Sequence, residues 1–427
     1  MVCYLENIFS EENIESYSRA CLELATDVPE YRNKEDSRKF NTLVIPSRGA
    51  VPFFLGMVYS MNKFKDYGGA QESFYNSLCI PNIISSLLSE EIKYFNKPNK
   101  ESINVLLIPF TADLNLSKFD KTLTDEEFVP KTRKYWSNVT RSFFKESSER
   151  VKDPYFISFA DCILSDIEGR KDLARIYEEF PTITSFSMID TAISGRAATH
   201  ILGSFDELEL KSKNSLLLPS TFLVIDEMGK KLKKEYFKYL VRKRVDGLLN
   251  SYPIPRIVSE DEGASLLGVA SVIYPSIMRA SRQFYLNDEE FFIGAGTWHN
   301  SYDLIGDYFK NFQTFMKMIY KGIDLVFKKE HLREDSSKEY DSFKENRTSF
   351  LERAEEVKLL AQMSEDIRTL KPAKNYSFEN CYETSSHVFH APFTEKSERK
   401  FTHDLFTRKI PGLRYIGPKK EDSDLPK

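Results

Sequence analysis

The sequence predicts an α/β fold in which a parallel sheet is flanked by helices and followed by an appended C-terminal helical region. Short apolar runs alternate with helix-like segments from residue 42 to about residue 275, which is typical of a parallel sheet with crossover helices. From residue 302 onward, apolar residues recur at the spacing of long helices. The chain of 427 residues, 41% hydrophobic and 13% aromatic, can bury one large core or two ordinary ones.

The α/β part begins with an amphipathic helix over residues 10–27, for which Ser10 is the expected N-cap. Residues 42–46 form the first predicted strand, and the helix over residues 51–61 follows with Pro52 in its first turn, where proline is tolerated. Further strands are predicted at residues 103–110, 186–189 and 221–226, and further helices at residues 83–94, 161–180, 230–244 and 257–272. Residues 291–297 fit either a strand and turn or a loop that approaches a base closely.

The change of pattern near residue 290 suggests where the chain is divided. We predict an α/β domain over residues 1–290, a helical extension over residues 291–371 and a polar, partly disordered tail over residues 372–427. The apolar stripe of the helical extension fits a homodimer surface, a contact with a protein partner or a cover for the sheet.

Composition argues against several classes of protein. The formal net charge of −4 gives no electrostatic reason to expect nucleic acid as a partner. The five cysteines are scattered without the spacing of metal ligands, and we expect them to be reduced thiols. The sequence shows neither a signal-peptide pattern nor a run of eighteen apolar residues, so we expect a cytoplasmic protein without membrane contact.

The helix predicted over residues 230–244 combines lysine and arginine with three aromatic residues, Tyr236, Phe237 and Tyr239. Such a mixture fits a face that binds nucleic acid, but the aromatic residues also recur at helical spacing. We therefore expect these aromatic side chains to belong to the core.

The most informative stretch covers residues 185–198, an apolar run followed by Asp190 and by a turn of small residues that opens a helix. If residues 186–189 form a buried parallel strand, Asp190 emerges at its carboxyl end, where open α/β sheets bind ligands. Residues 192–197 then surround a phosphate with backbone N–H groups at the positive end of the helix. An acid for a sugar and amides for its phosphate suit a ribose 5-phosphate.

A second stretch, residues 43–50, is an apolar strand followed by Ser47, Arg48 and Gly49. Glycine permits close approach of the backbone to an anion, and an adjacent arginine can donate to two phosphate oxygens. Either stretch alone is also compatible with an ordinary strand-to-helix turn, in which Asp190 caps a helix and Arg48 is solvated.

Taken together, the two stretches resemble the type I phosphoribosyltransferase family. Residues 189–197 are similar to the family signature of apolar residues, two acids, three variable positions and Thr-Gly-x-Thr. Asp190 corresponds to the second acid, and Ser194 and Gly195 correspond to the Thr-Gly pair. Ile189 replaces the first acid, and Ile193 occupies the variable position that carries a general base in some purine-using members. Residues 47–49 are similar to the pyrophosphate loop of the family and precede the signature in the same order.

The resemblance implies a transferase of nucleotide metabolism that binds phosphoribosyl pyrophosphate with Mg²⁺ and exchanges the pyrophosphate for a nitrogenous base. The residues implied to bind the phosphosugar are Asp190, Thr191, Ser194, Gly195, Arg196 and Ala197, and Asp190 is also the implied metal ligand. Ser47, Arg48 and Gly49 are implied to bind pyrophosphate. No catalytic residue is predicted.

The family closes a mobile loop over its reaction centre, and the charged residues 114–153 are a candidate for it. Lys131, Arg133 and Lys134 in this segment would then neutralise the departing pyrophosphate. A surface helix with solvated cations is the alternative.

Two functions therefore stay open. The first is a phosphoribosyltransferase, which the retained Arg48, Gly49, Asp190, Ser194 and Gly195 favour. The second is a non-catalytic module that senses a nucleotide or phosphosugar and regulates a partner, which the loss of the first acid at Ile189 favours.

Overall fold

A computed structural model describes residues 9–33, 40–46, 49–64, 69–79, 102–107, 125–150, 152–156, 185–211, 219–227, 232–257, 282–286, 289–293, 305–370 and 413–415. The chain forms two compact units. The first comprises Met1–Phe110, Ile183–Ile273 and Ser301–Ser377, and the second comprises Thr111–Thr182, Tyr274–Asn300 and Phe378–Lys427. The predicted helices over residues 83–94 and 161–180 lie outside the described residues, as does the helix predicted over residues 257–272 apart from its first residue.

The first unit contains a parallel sheet. Its strands are β1 (Thr42–Ile45), β2 (Leu78–Cys79), β3 (Ile103–Leu107), β4 (Phe186–Ala192), β5 (Ser220–Asp226) and β6 (Leu249–Ile254). They lie in the order β2-β3-β1-β4-β5-β6, and every neighbouring pair is parallel. The prediction of an α/β fold with a parallel sheet is therefore confirmed.

Strand β1 lies at the centre of the sheet because its four residues are buried on both faces. It pairs with β3 on one side and with β4 on the other, with Val44 opposite Leu106 and Met188. Strands β2 and β3 therefore lie on one side of β1, and strands β4, β5 and β6 lie on the other. The carboxyl ends of β1 and β4 flank the point where the strand order reverses, which is where open sheets of this kind bind ligands.

The described helices are α1 (Glu11–Asn33), α2 (Ala50–Phe64), α3 (Ala70–Ser77), α4 (Asp125–Ser142), α5 (Ser147–Arg150), α6 (Arg196–Lys211), α7 (Lys234–Val245), α8 (Ile305–Phe327) and α9 (Ser337–Leu370). A single π-helical segment, Lys328–Leu332, follows α8. Within the described ranges, no helix combines the length and the apolar composition that a membrane crossing needs.

Helix α1 begins where the sequence predicts, because the Ser10 hydroxyl accepts a hydrogen bond from the Asn13 amide at 3.2 Å. Its apolar residues recur every three or four positions and are fully buried: Ile14, Tyr17, Cys21, Leu24 and Val28. Tyr17 stacks on Phe53 of α2 with 3.9 Å between the ring centroids. The Ser18 hydroxyl, which donates to the Ile14 carbonyl of its own helix at 2.8 Å, lies 3.5 Å from the carbonyl oxygen of Ile319 on α8, 301 residues later in the chain.

Helices α8 and α9 belong to the same compact unit as the sheet. The apolar stripe of α8, which includes Phe312, Phe315, Ile319 and Ile323, is fully buried, and α8 packs against α1, α2 and α9. Helix α8 thereby covers the buried faces of α1 and α2. The domain boundaries predicted at residues 290 and 371 stay predictions.

The second unit contains α4, α5 and a three-stranded antiparallel sheet with the strand order β8-β7-β9. Its strands are β7 (Arg282–Leu286), β8 (Glu289–Ile293) and β9 (Leu413–Tyr415). β9 comes from the predicted tail and pairs with β7. On α4, Arg133 is buried at 6% exposure and Lys134 is half-buried, so the alternative of a surface helix with solvated cations is wrong for Arg133.

Candidate functional site

The carboxyl ends of β1 and β4 bring the two predicted ligand-binding segments together. Gly49 follows β1, and a Cβ atom built on it would lie 2.7 Å from Oγ1 of Thr191 on β4. Because glycine has no side chain, the backbone at Gly49 can lie this close to the Thr191 side chain. Ser47 and Arg48 lie outside the described residues.

Asp190 lies inside β4 rather than after it. The strand continues to Ala192 because Asp190, Thr191 and Ala192 pair with Leu223, Val224 and Ile225 of β5. The Asp190 side chain is only 1% exposed, and its Oδ1 accepts a hydrogen bond from the Thr191 amide at 2.8 Å. The predicted strand end at residue 189 is therefore three residues too early, and the carboxylate is buried close to the carboxyl edge.

Ile189, which replaces the first acid of the family signature, is completely buried. Successive residues of a strand point to opposite faces of the sheet, so Ile189 and Asp190 face different layers. A carboxylate at position 189 would lose its hydration in an apolar layer, and isoleucine fits this environment without that penalty.

Residues 193–195, at the centre of the predicted phosphate-binding residues 192–197, join β4 to α6. Gly195 has φ of 77°, a conformation that favours glycine, and the Ser194 hydroxyl accepts a hydrogen bond from the Arg196 amide at 3.3 Å. The Thr199 amide donates to the Gly195 carbonyl at 3.0 Å. The amides of Ala197 and Ala198, in the first turn of α6, consequently have no acceptor within α6 itself and suit an anion.

The amino terminus of α7 packs directly on this turn. The Lys233 amide donates to the Ser194 carbonyl at 3.2 Å. A Cβ atom on Gly195 would lie 2.5 Å from Cδ1 of Leu232 and 3.0 Å from Cβ of Tyr236. The positive ends of α6 and α7 therefore converge at the turn, and their dipoles add to the attraction for an anion.

The carboxylate of Asp226, at the end of β5, has a role inside the fold. It is 3% exposed, accepts a hydrogen bond from the Ile257 amide at 2.9 Å and lies 3.8 Å from Nε of Arg256. The Arg256 amide in turn donates to Asn13 of α1 at 2.9 Å. Asp226 thus ties the end of β5 to the segment after β6, and it provides a structural comparison for Asp190.

The chain matches no protein-family model, no curated protein and no solved structure. Among the described residues, no group of three or more histidine, cysteine, aspartate or glutamate side chains is arranged to hold a metal ion. Among the described residues, Asp190 supplies a carboxylate beside the turn. Mg²⁺ is commonly bound by one or two carboxylates together with substrate phosphates, so one carboxylate fits this ion.

The close approach of Gly49 and Thr191 predicts a coupled effect on stability. Gly49→Ala should lower the free energy of unfolding by about 1–3 kcal/mol, because the new methyl group meets the Thr191 hydroxyl. In a Thr191→Ala background the loss should fall by about 1 kcal/mol or more, since the obstructing oxygen is gone.

Urea denaturation of the four proteins of this cycle measures the coupling. Gly203→Ala is the matched control, because Gly203 lies in α6 with nothing within 4 Å of a built Cβ atom. Its substitution should raise stability by about 0.5–1 kcal/mol. Equal losses from Gly49→Ala in both backgrounds would mean that the two segments do not touch.

Proposed function

We propose that the protein binds phosphoribosyl pyrophosphate at the carboxyl edge of β1 and β4 and exchanges its pyrophosphate for a nitrogenous base. The observation that carries this proposal is the contact between Gly49 and Thr191. It joins the segment that resembles a pyrophosphate loop to the segment that resembles a phosphosugar turn, at the point where the strand order reverses. A cytoplasmic setting in nucleotide metabolism is part of the same proposal.

Each proposed role follows from local chemistry. The backbone amides around Ser194 to Ala197 and the two helix amino termini bind the 5-phosphate. The Asp190 carboxylate, close to the carboxyl edge of β4, accepts hydrogen bonds from the ribose hydroxyls. Ser47, Arg48 and Gly49 bind the pyrophosphate.

The proposed exchange breaks the bond between the anomeric carbon and pyrophosphate and forms a bond from that carbon to a nitrogen of the base. The proton of that nitrogen passes to the departing pyrophosphate or to water. Positive charge develops on the ribose and negative charge on the leaving group. The buried Asp190 carboxylate stabilises the former, and the cationic Arg48 stabilises the latter. When bound, Mg²⁺ supplies further charge for the pyrophosphate oxygens.

A second candidate function is a non-catalytic module that senses a nucleotide or phosphosugar. The observation that favours it is the complete burial of Ile189 where the family has its first acid. With this residue apolar, the chain keeps phosphate-binding groups but lacks one of the two acids beside the ribose.

Two measurements with the same preparation separate these functions. Isothermal titration calorimetry with phosphoribosyl pyrophosphate and Mg²⁺ tests binding, and release of labelled pyrophosphate in the presence of a panel of nucleobases tests turnover. Binding with turnover supports the transferase, and binding without turnover supports the sensing module. Absence of binding would contradict both.

Asp190→Asn should weaken the affinity for phosphoribosyl pyrophosphate by about tenfold or more at saturating Mg²⁺, and by about threefold or less without Mg²⁺. The amide keeps the shape of the side chain but loses the charge that favours the cation. Calorimetric titrations with Mg²⁺ and with a chelator give the two ratios.

Asp226→Asn is the matched control, because it alters a carboxylate of similar burial at the end of the neighbouring strand. It should lower the melting temperature by weakening the bonds to Ile257 and Arg256, while ligand affinity stays the same. If Asp190→Asn also changes only the melting temperature, Asp190 is structural and the proposed ribose contact is wrong.

A further inference from the structure

Helix α7 exposes an apolar row to solvent. Five large hydrophobic side chains in the described part of the chain are exposed, and three of them lie on α7: Phe237 at 50%, Val241 at 40% and Val245 at 81%. Their spacing of four residues aligns them along one side of the helix over about 12 Å. The expectation that the aromatic residues of this segment form core is therefore wrong for Phe237, whereas Tyr236 and Tyr239 are half-buried.

Cations border this row on both sides. At 100° per residue, Lys238 and Arg242 follow the row on one side, while Lys233 and Arg244 follow it on the other. All four are exposed, as is Lys234 near the first turn. The exposed acids of the segment are Glu235 and Asp246, one near each end of the helix. We call the row and its bordering cations the α7 face.

The opposite side of α7 is fixed to the rest of the unit. The Tyr239 hydroxyl and the Lys243 ammonium each donate to the Asp206 carboxylate of α6 at 2.6 Å. Burial and the contact with Asp206 raise the pKa of Tyr239 above its ordinary value, so this hydroxyl stays protonated and keeps donating. Leu240 is 3% exposed. The α7 face is therefore held in place before any partner arrives, which reduces the entropy lost on binding.

We propose that the α7 face is a docking surface for an acidic amphipathic helix of a partner protein. Such a helix presents an apolar row to Phe237, Val241 and Val245 and places aspartate or glutamate opposite the bordering cations, as paired helices do along an apolar seam. This inference rests on α7 alone and stands apart from the proposed phosphosugar site.

The chemistry of the face argues against other occupants. If a second copy of α7 docked on this face, its five exposed cations would lie against the five of the first copy. These like charges would repel one another. An anionic membrane needs a broader apolar face with larger side chains than one phenylalanine and two valines. A nucleic acid backbone would meet apolar side chains in the centre of the face, where it needs cations.

Fluorescence anisotropy of a labelled synthetic peptide tests the proposal with the full-length protein. The peptide is a helix of about five turns with leucine at every fourth position bordered by glutamate, and a scrambled peptide of equal composition is its control. Binding of the patterned peptide, at least about tenfold tighter than that of the scrambled one, is the expected result. Equal binding of the two peptides, or none, would overturn the proposal.

Two double variants, Phe237→Ser with Val241→Ser and Lys238→Glu with Arg242→Glu, should each weaken peptide binding by about tenfold or more. The matched controls are Leu332→Ser and Lys317→Glu, which alter one exposed apolar residue and one exposed cation outside α7. These controls should leave peptide binding unchanged. Losses of equal size in the controls would overturn the proposal.

Vesicles of phosphatidylserine and phosphatidylcholine and a single-stranded oligonucleotide are tested with the same proteins. The proposal expects neither to bind in a way that depends on the α7 face. Binding to either probe that the α7 variants abolish, combined with no binding of the patterned peptide, would assign the face to a membrane or to nucleic acid instead. Melting temperatures within about 2 °C of the wild-type value show that each variant is folded.

Discussion

Gly195→Ala is expected to lower the free energy of unfolding by about 2–4 kcal/mol, one of the two largest effects that we predict. The left-handed backbone at φ of 77° opposes a side chain, and the new methyl group meets Cδ1 of Leu232 at 2.5 Å and Cβ of Tyr236 at 3.0 Å. The same methyl group separates α7 from the turn. Affinity for phosphoribosyl pyrophosphate should therefore fall by about tenfold or more if the turn binds its phosphate.

Gly247→Ala isolates the backbone contribution. Gly247 has φ of 71°, and nothing lies within 4 Å of a Cβ atom built on it. Its substitution should cost about 1–2 kcal/mol and leave ligand affinity unchanged. Guanidinium denaturation and calorimetric titration of both variants give the comparison. Equal losses of stability would show that Gly195 does not pack against α7, and unchanged affinity in Gly195→Ala would remove the turn from the site.

Phe315→Ala should lower the free energy of unfolding by about 3–5 kcal/mol. Phe315 of α8 is completely buried, with ring centroids of Phe9 at 6.0 Å, Tyr17 at 6.1 Å and Phe350 at 5.5 Å. Its truncation leaves a cavity among aromatic rings, which do not collapse easily to fill it. Phe237→Ala removes the same side chain from an exposed position and should change stability by about 0.5 kcal/mol or less.

Tyr17→Phe should act in the opposite direction in the same cluster. The Tyr17 hydroxyl is buried and has no hydrogen-bond partner within the described segments, and burial raises its pKa well above the ordinary value. Burial of a hydroxyl without a hydrogen bond costs the free energy of its hydration. Removal of this hydroxyl should therefore raise the free energy of unfolding by about 1 kcal/mol. A clear loss of stability would show that the hydroxyl has a partner in the folded protein.

The parts of the fold that follow from local periodicity could be predicted from the sequence. Apolar residues every third or fourth position mark α1, and Ser10 marks its start because a cap needs only its own neighbours. The alternation of strands and helices predicts a parallel sheet, because each of these elements can be recognised from its own periodicity. The two short polar turns at Gly49 and Ser194 could be recognised because each follows an apolar strand.

Features that depend on distant residues could not be predicted. Strand β4 continues through Asp190 because β5 provides pairing partners, which the local sequence does not reveal. Helical spacing marks an apolar side of α7 but not the side that faces the sheet, so Phe237 was assigned to the core incorrectly. The hydrogen bond from Lys233 to Ser194 joins segments that no motif connects. The apolar stripe of α8 indicates that this side of the helix is buried, but it does not indicate that α1 packs against it.

The contacts of α1 have a consequence for synthesis of the chain. Ser18 contacts Ile319, and Glu11 accepts a hydrogen bond from Tyr340 across 329 residues. At ribosomal rates of about 5–20 residues per second, the partners of α1 follow it by on the order of 15–60 s. During that interval its apolar face has no cover from α8. The apolar face of α1 therefore stays without this cover on a nascent chain until α8 has left the ribosome.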